Sequence, residues 1–242
     1  AGLNPTEVTA IVEIVRAIRA DGVRVKGHFA DGKLYLGELD KLRDMESKEP
    51  LALPDINVQL TDALLSLATP WGGVGLAVVG KGNLRNRFDG KLIARSPSLS
   101  GAGCTARGVR YNGAVRIRNV YPEFIGPLSA DLAACADQKL ALTSPRIDGK
   151  VEFTEAFDRW LGEVAISAKS ANADKRFADD VSATLAFNGT QRRTDYRLAL
   201  SQARLRMPDI GARNLAGEAY GSFSFSDAGL ALSARGDVAL NG

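Results

Sequence analysis

From Val23 onward the chain alternates apolar and polar side chains with period two, and this constrains the fold more than any other feature. Segments such as "GAVRIR", "DYRLALS" and "YGSFSFS" send Val115 and Ile117, Leu198 and Leu200, or Phe223 and Phe225 one way. Charged, small or hydroxyl residues go the other way. Side chains take opposite sides in turn only along a β-strand. After Pro50 such segments follow one another every roughly 10 to 15 residues with turn residues between, which is the rhythm of an all-β antiparallel meander. The predicted fold is therefore mainly β, a long curved antiparallel meander sheet.

The turns are expected at Asx-Gly pairs, the strongest short-range hairpin signal. They occur at Asp21-Gly22, Asp31-Gly32, Asp89-Gly90, Asp148-Gly149, Asn112-Gly113, Asn188-Gly189 and Asn241-Gly242. One helix is predicted before the sheet. Asn4 caps it, Pro5 takes the first helical position and Glu7 completes a capping box. Val8, Ile11, Val12, Val15 and Ile18 then form one amphipathic stripe, which Gly22 ends. The stripe is read as packing on the sheet, since acidic residues near both ends disfavour a membrane surface. "VRVKGHF" and "KLYLGEL" read as a hairpin about Asp31-Gly32, followed by a polar connector. The domain reading is 1–50 for helix, hairpin and connector, and 51–242 for the repetitive sheet. "TEAFDRWLGE" around Trp160 interrupts the β pattern and reads as a short helix or a wide loop.

"GLAVVGKG", from Gly75 to Gly82, nearly spells a phosphate-binding loop, but Gly82 stands where a Mg²⁺-binding Ser or Thr belongs. Such a loop must join a strand to a helix. Here alternation continues through "GNLRNRFDGKLIAR", so Gly80 and Gly82 are read as strand or bulge glycines.

Composition excludes several function classes. The 31 basic and 28 acidic residues are interspersed and no basic block stands out, so nucleic acid is not an expected partner. His28 is the single histidine, in a strand-like segment, which leaves no His/Cys metal set and only one residue for the base of a Ser-His-Asp triad. Acidic residues cluster at turns, and nothing pairs two of them as a glycosidase requires. No enzyme, cofactor or metal is predicted. Cys104 and Cys135 are compatible with one disulfide or with two inert thiols. No apolar run approaches the ~18 residues of a membrane span. The start at Ala1 and the unfinished "GDVALNG" read as a piece cut from a longer protein.

A sheet with one apolar face must cover it with a second sheet, a helix or a ligand. Small residues alternate often ("SATLAF", "LSADLAA", "GLALSARG"), and the chain has 25 glycines. These features suit a wide curved sheet, and they leave both a packed sandwich and an open groove as readings.

The segment "GKLYLGELDKL…LPDINVQLTDALLSLATPWG", with "GKGNLRNRFDGKL", "SPSLSGAGC" and "FIGPLSADLAAC…LALTSPRIDGKV", resembles the YdbH family of intermembrane phospholipid transport proteins, in the AsmA-like group of Gram-negative bacteria. The likeness covers roughly residues 23–153, and its patterns are architectural rather than catalytic. It implies an inner-membrane-anchored protein that crosses the periplasm as a curled β-sheet. Phospholipid acyl chains would move along its apolar groove toward the outer membrane. This chain would be the N-terminal periplasmic part. Its implied partners are phospholipid, the remainder of the same β bridge, and an envelope lipoprotein adding a strand to a sheet edge. The alternative is a non-catalytic β scaffold or interaction module of the cell envelope.

On this view the groove lining includes Leu76, Val78, Leu92, Val115, Ile117, Leu128, Leu140, Leu142, Val151 and Phe153. It continues through Val164, Ile166, Leu185, Phe187, Leu198, Leu200, Phe223, Phe225, Leu230 and Leu232. Plain core packing is the competing role for each of them. In the periplasm, where disulfides persist, a bridge between Cys104 and Cys135 is expected, with two buried thiols as the alternative.

Overall fold

Alternating segments joined by short turns pair with their chain neighbours, and here the pairing makes one sheet. The computed structural model describes residues 17–30, 33–35, 53–137, 139–174, 176–190, 192–207, 210–226 and 229–241. Its strands are β1 (Ala17–Ala20), β2 (Arg24–Ala30), β3 (Lys33–Tyr35), β4 (Asn57–Thr69), β5 (Gly72–Asn83), β6 (Phe88–Gly101), β7 (Cys104–Arg118) and β8 (Tyr121–Ser129). They continue as β9 (Leu132–Cys135), β10 (Leu140–Thr143), β11 (Arg146–Phe153), β12 (Arg159–Ala173), β13 (Arg176–Thr190), β14 (Arg193–Met207), β15 (Ile210–Ser226) and β16 (Gly229–Asn241). All belong to one 16-stranded sheet. Between β7 and β12 the chain makes two broken strands. β8 and β9 share the edge of β7, while β10 and β11 share the edge of β12. The result from β4 to β16 is a continuous antiparallel meander, and the second sheet of a packed sandwich is absent among the described residues.

The predicted helix needs correction where it can be seen. Ala17–Ala20 is a strand, paired parallel to Asn57–Leu60 of β4. β2 pairs parallel to the same strand farther along, from Leu64 to Ala68. A free edge of β4 offers a row of unpaired amides and carbonyls, and that demand outweighs the helical periodicity of a four-residue tail. The rest of the predicted helix and the polar connector lie outside the described residues. β2 and β3 form the expected hairpin. "TEAFDRW" contains a wide turn, not a helix, and Trp160 already lies in β12.

The Asx-Gly reading also needs correction. Asp89-Gly90, Asn112-Gly113, Asp148-Gly149 and Asn188-Gly189 all lie inside strands. Hairpins turn instead at Ala102-Gly103, with φ of 50° and 73°, and at Asn119-Val120, with φ of 51° and 65°. Both residues of each pair are left-handed, as two-residue hairpin turns require. Valine is a poor choice there because its branched Cβ crowds the backbone. Val120→Gly is therefore expected to raise the unfolding free energy by about 1 kcal/mol, read from urea denaturation midpoints.

The mid-strand glycines have a packing reason. Directly opposed residues share a face, and glycines there receive aromatic rings from neighbouring positions. A Cβ on Gly162 would lie 2.6 Å from Phe187 Cζ, and one on Gly80 would lie 2.7 Å from Phe88 Cζ. Gly162→Val is expected to cost about 1–3 kcal/mol, because Phe187 and the Lys150 carbonyl occupy the space; thermal or urea melts would measure it.

Val58, Phe88 and Ile117, opposed through the ladders on one face, form a buried cluster, with Leu53, Ile56, Leu84 and Val115 packed against it. The sheet curls toward that face. Leu53 N–H, just before β4, donates to Glu155 Oε1 at 2.9 Å, and Glu155 precedes β12. Five strands (β5, β6, β7, β8 and β11) separate β4 from β12 along the sheet. Such a contact requires a barrel-like closure at this end. The sheet nonetheless leaves much apolar surface accessible, with Leu128 41%, Phe177 45% and Leu232 60% exposed. The whole chain, its undescribed residues included, leaves 15769 Å² accessible. A compact monomer of this length exposes about 10,000 Å².

Candidate functional site

The concave face is built by register. Opposed pairs run Val78↔Leu92, Gly90↔Val115, Val115↔Phe124, Phe124↔Val151, Val151↔Gly162, Gly162↔Phe187 and Phe187↔Tyr196. A parallel row runs Ile147↔Ile166, Ile166↔Ala183 and Ala183↔Leu200. Leu185↔Leu198 and Phe223↔Leu232 fall in step with them. Leu76 opposes Ala94, Ile117 opposes Phe88, Leu128 opposes Ile147, Phe153 opposes Trp160, and Gly149 opposes Val164.

Leu140 and Leu142 oppose Cys135 and Ala133 in a second stretch of the same face. Pro97 in β6 and Gly108 in β7 interrupt the alternation at one level, and Gly108 has φ 63°. Beyond that line Leu99, Ala106 and Ala133 join Val74 around one apolar concavity of 500 Å³. Trp71 and the disulfide complete its wall. Phe225 and Leu230 are paired in the β15–β16 ladder in phase with Phe223 and Leu232. Thus the register joins the alternating apolar residues of separate strands into one surface. It also adds residues that the sequence reading omitted, among them Leu65, Leu67, Val74, Phe88, Phe124 and Tyr196. The same alternation marks each of these, most plainly Phe88-Asp-Gly-Lys-Leu92.

This face is covered unevenly. Val164 is 4% exposed and Ile117 6%, whereas Leu128 is 41% and Leu232 60% exposed. Its polar groups are few and turned inward. Thr194 Oγ1 donates to Thr190 O at 2.8 Å, and Ser96 Oγ to Ser98 O at 3.0 Å. Tyr111 lies over Gly113, its hydroxyl within hydrogen-bond reach of the Ala114 and Ile125 carbonyls. Burial pushes that phenol above its ordinary pKa. An apolar surface with satisfied polar groups offers contact area without a fixed polar anchor.

The convex face carries the charge. Arg118 grips both oxygens of Asp89 at 2.7 and 2.8 Å, beside Arg116. Arg110 meets Asp131 at 2.6 Å across Gly108, and each holds the other's charge: the Asp131 carboxyl lies below its usual range. Lys150 sits between Glu123 and Glu152, and its hydrogen bond holds Glu123 below the ordinary carboxylate range. These carboxylates are occupied by cations. His28 is exposed and stacks on Tyr35 at 4.6 Å. Among the described residues no three His, Cys, Asp or Glu side chains converge as a metal set. Gly75, Gly80 and Gly82 lie inside β5, so "GLAVVGKG" is a strand and cradles no phosphate.

Cys104 and Cys135 form a disulfide with a Cα–Cα distance of 3.9 Å. They oppose each other in the β7–β9 ladder. Their bond staples the broken strand β8–β9 to β7 beside the apolar concavity.

The fold and face define a class: a single all-β meander sheet, curled at one end, with an apolar concave surface and a charged convex one. No family model, curated protein or solved structure matches this chain.

Proposed function

We propose that the concave face is a trough for lipid acyl chains, and that the chain is a segment of a lipid-transfer bridge in a bacterial envelope. The observation that carries this reading is the continuous apolar surface from β4 to β16, over which no second sheet is laid among the described residues. Each methylene removed from water contributes about 0.8 kcal/mol, so a long chain gains from any continuous apolar surface. Such binding needs no fixed polar residue, which matches the locally satisfied hydroxyls of Thr194, Ser96 and Tyr111. The disulfide suits an oxidising compartment such as the periplasm. The resemblance to the YdbH family supplies phospholipid as the ligand class and the inner-to-outer-membrane setting. A non-catalytic β scaffold is the second reading; an edge strand such as β16, whose outer side no described strand pairs, can accept another strand by main-chain pairing.

The test is mass spectrometry of organic extracts from the purified chain. It is run beside a variant with Val115, Leu140 and Leu198 changed to aspartate. These three are half-buried, Val115 against the Phe88 cluster, so the comparison uses only a variant whose circular dichroism shows the ladder folded. Phospholipid in the parent and none in the folded variant is the expected result. A parent with no lipid above a control protein contradicts the trough and favours the scaffold.

A further inference from the structure

We infer that the turn between β11 and β12, residues 154–158, is a strap that fastens the two rims of the curled part of the sheet, β4 and β12, at one end, with Glu155 as its fastening residue; the sheet itself continues past them to β2 and β16. The inference rests on the trough reading for its consequence and on geometry for its existence. Glu155 comes from the β12 rim, and its Oε1 accepts the Leu53 amide of the β4 rim at 2.9 Å across 102 residues of chain. Arg85, in the loop after β5, approaches the same oxygen at 3.7 Å. Both partners therefore lie on the β4–β5 side of the closure, one before β4 and one after β5, and one carboxylate joins them.

The turn is held in shape by its own contacts. Thr154 Oγ1 donates to Asp158 Oδ1 at 2.5 Å, and Phe157 N–H donates to Thr154 O at 3.0 Å. Phe157 takes a left-handed φ of 57°, a conformation that phenylalanine adopts only when its surroundings impose it. Its ring packs against Phe153, with centroids 5.5 Å apart, and Phe153 in turn meets Phe124 and Trp160. Below the strap Leu53 and Ile56 lie on the Phe88–Ile117 cluster and fill this end. At the other end, around Trp71 and Leu99, no described residue reaches across from the β12 rim. While the strap is fastened the trough is thus blind at the Glu155 end, and a chain enters and leaves past Trp71. Releasing the strap would make the apolar surface continuous from end to end.

The experiment places spin labels at Pro54→Cys and Arg159→Cys, one on each rim, with the native cysteines already bonded. Electron–electron distance measurements are made on delipidated protein. The parent should give one narrow short distance. Glu155→Ala should broaden it and shift it outward, and exchange of the Leu53 amide should speed up about tenfold as its acceptor is lost. Arg85→Ala, an exposed change that leaves the Leu53 bond, should give a smaller shift. An unchanged distance and unchanged Leu53 exchange in Glu155→Ala would overturn the strap. The lipid content of the same proteins is a separate readout. A strap that opens in a chain carrying no lipid keeps the strap and removes the trough.

Discussion

Phe88→Ala is expected to lower the unfolding free energy by about 3–5 kcal/mol, the range for a buried aromatic cut to a methyl. Phe88 is 3% exposed and stands with Val58 and Ile117 at the centre of the compact apolar cluster among the described residues. Its ring also covers the backbone of Gly80 and Gly90 on either side. Removing it uncovers two ladders as well as leaving a cavity, and neither glycine has a side chain to move in. A single sheet has no second layer to collapse into that space. Urea denaturation followed by tryptophan fluorescence would measure the loss. A change below about 1 kcal/mol would show that this end of the sheet contributes little to global stability.

Breaking the disulfide is the second large effect. Cys104 and Cys135 close a loop of 31 residues, for which the chain-entropy relation gives about 4 kcal/mol. The bond acts chiefly on the unfolded chain, because the β7–β9 ladder already aligns the two strands through Thr105↔Ala134 and Ala106↔Ala133. The double variant Cys104→Ser/Cys135→Ser should therefore keep its far-ultraviolet dichroism at room temperature while losing about 3–4 kcal/mol in urea. Equal stability with and without reductant would mean that the loop is already constrained in the unfolded state.

Much of this arrangement is legible in the sequence because side-chain alternation is a local property. Val115 and Ile117 face away from Arg116 and Arg118 in any strand, whatever its partner. Antiparallel hairpins then fix the partner, so the apolar positions of successive strands fall on one face. The misreadings have physical causes. Asp89-Gly90 has the residues of a tight turn, yet its glycine sits beneath the Phe88 ring and its aspartate pairs with Arg118, contacts that no short window displays. Ala17–Ala20 has helical spacing behind it, but its strand pairing depends on β4, some forty residues on. The curvature is expected from the sequence, but the place where the sheet closes is not, for the same reason. It depends on Glu155 meeting Leu53, which is a property of summed twist over several strands rather than of any segment.

The central claim is that lipid lies on one face of the sheet and not on the other. β13 tests it residue by residue, since Leu185 and Phe187, half-buried on the apolar face, alternate with the exposed Thr184, Ala186 and Asn188. A photoreactive amino acid placed at each of these positions in turn, with radiolabelled phospholipid, would read the face directly. The account predicts adducts with period two, at Leu185 and Phe187 alone. Adducts of equal yield on both faces, or none at any position, would contradict it.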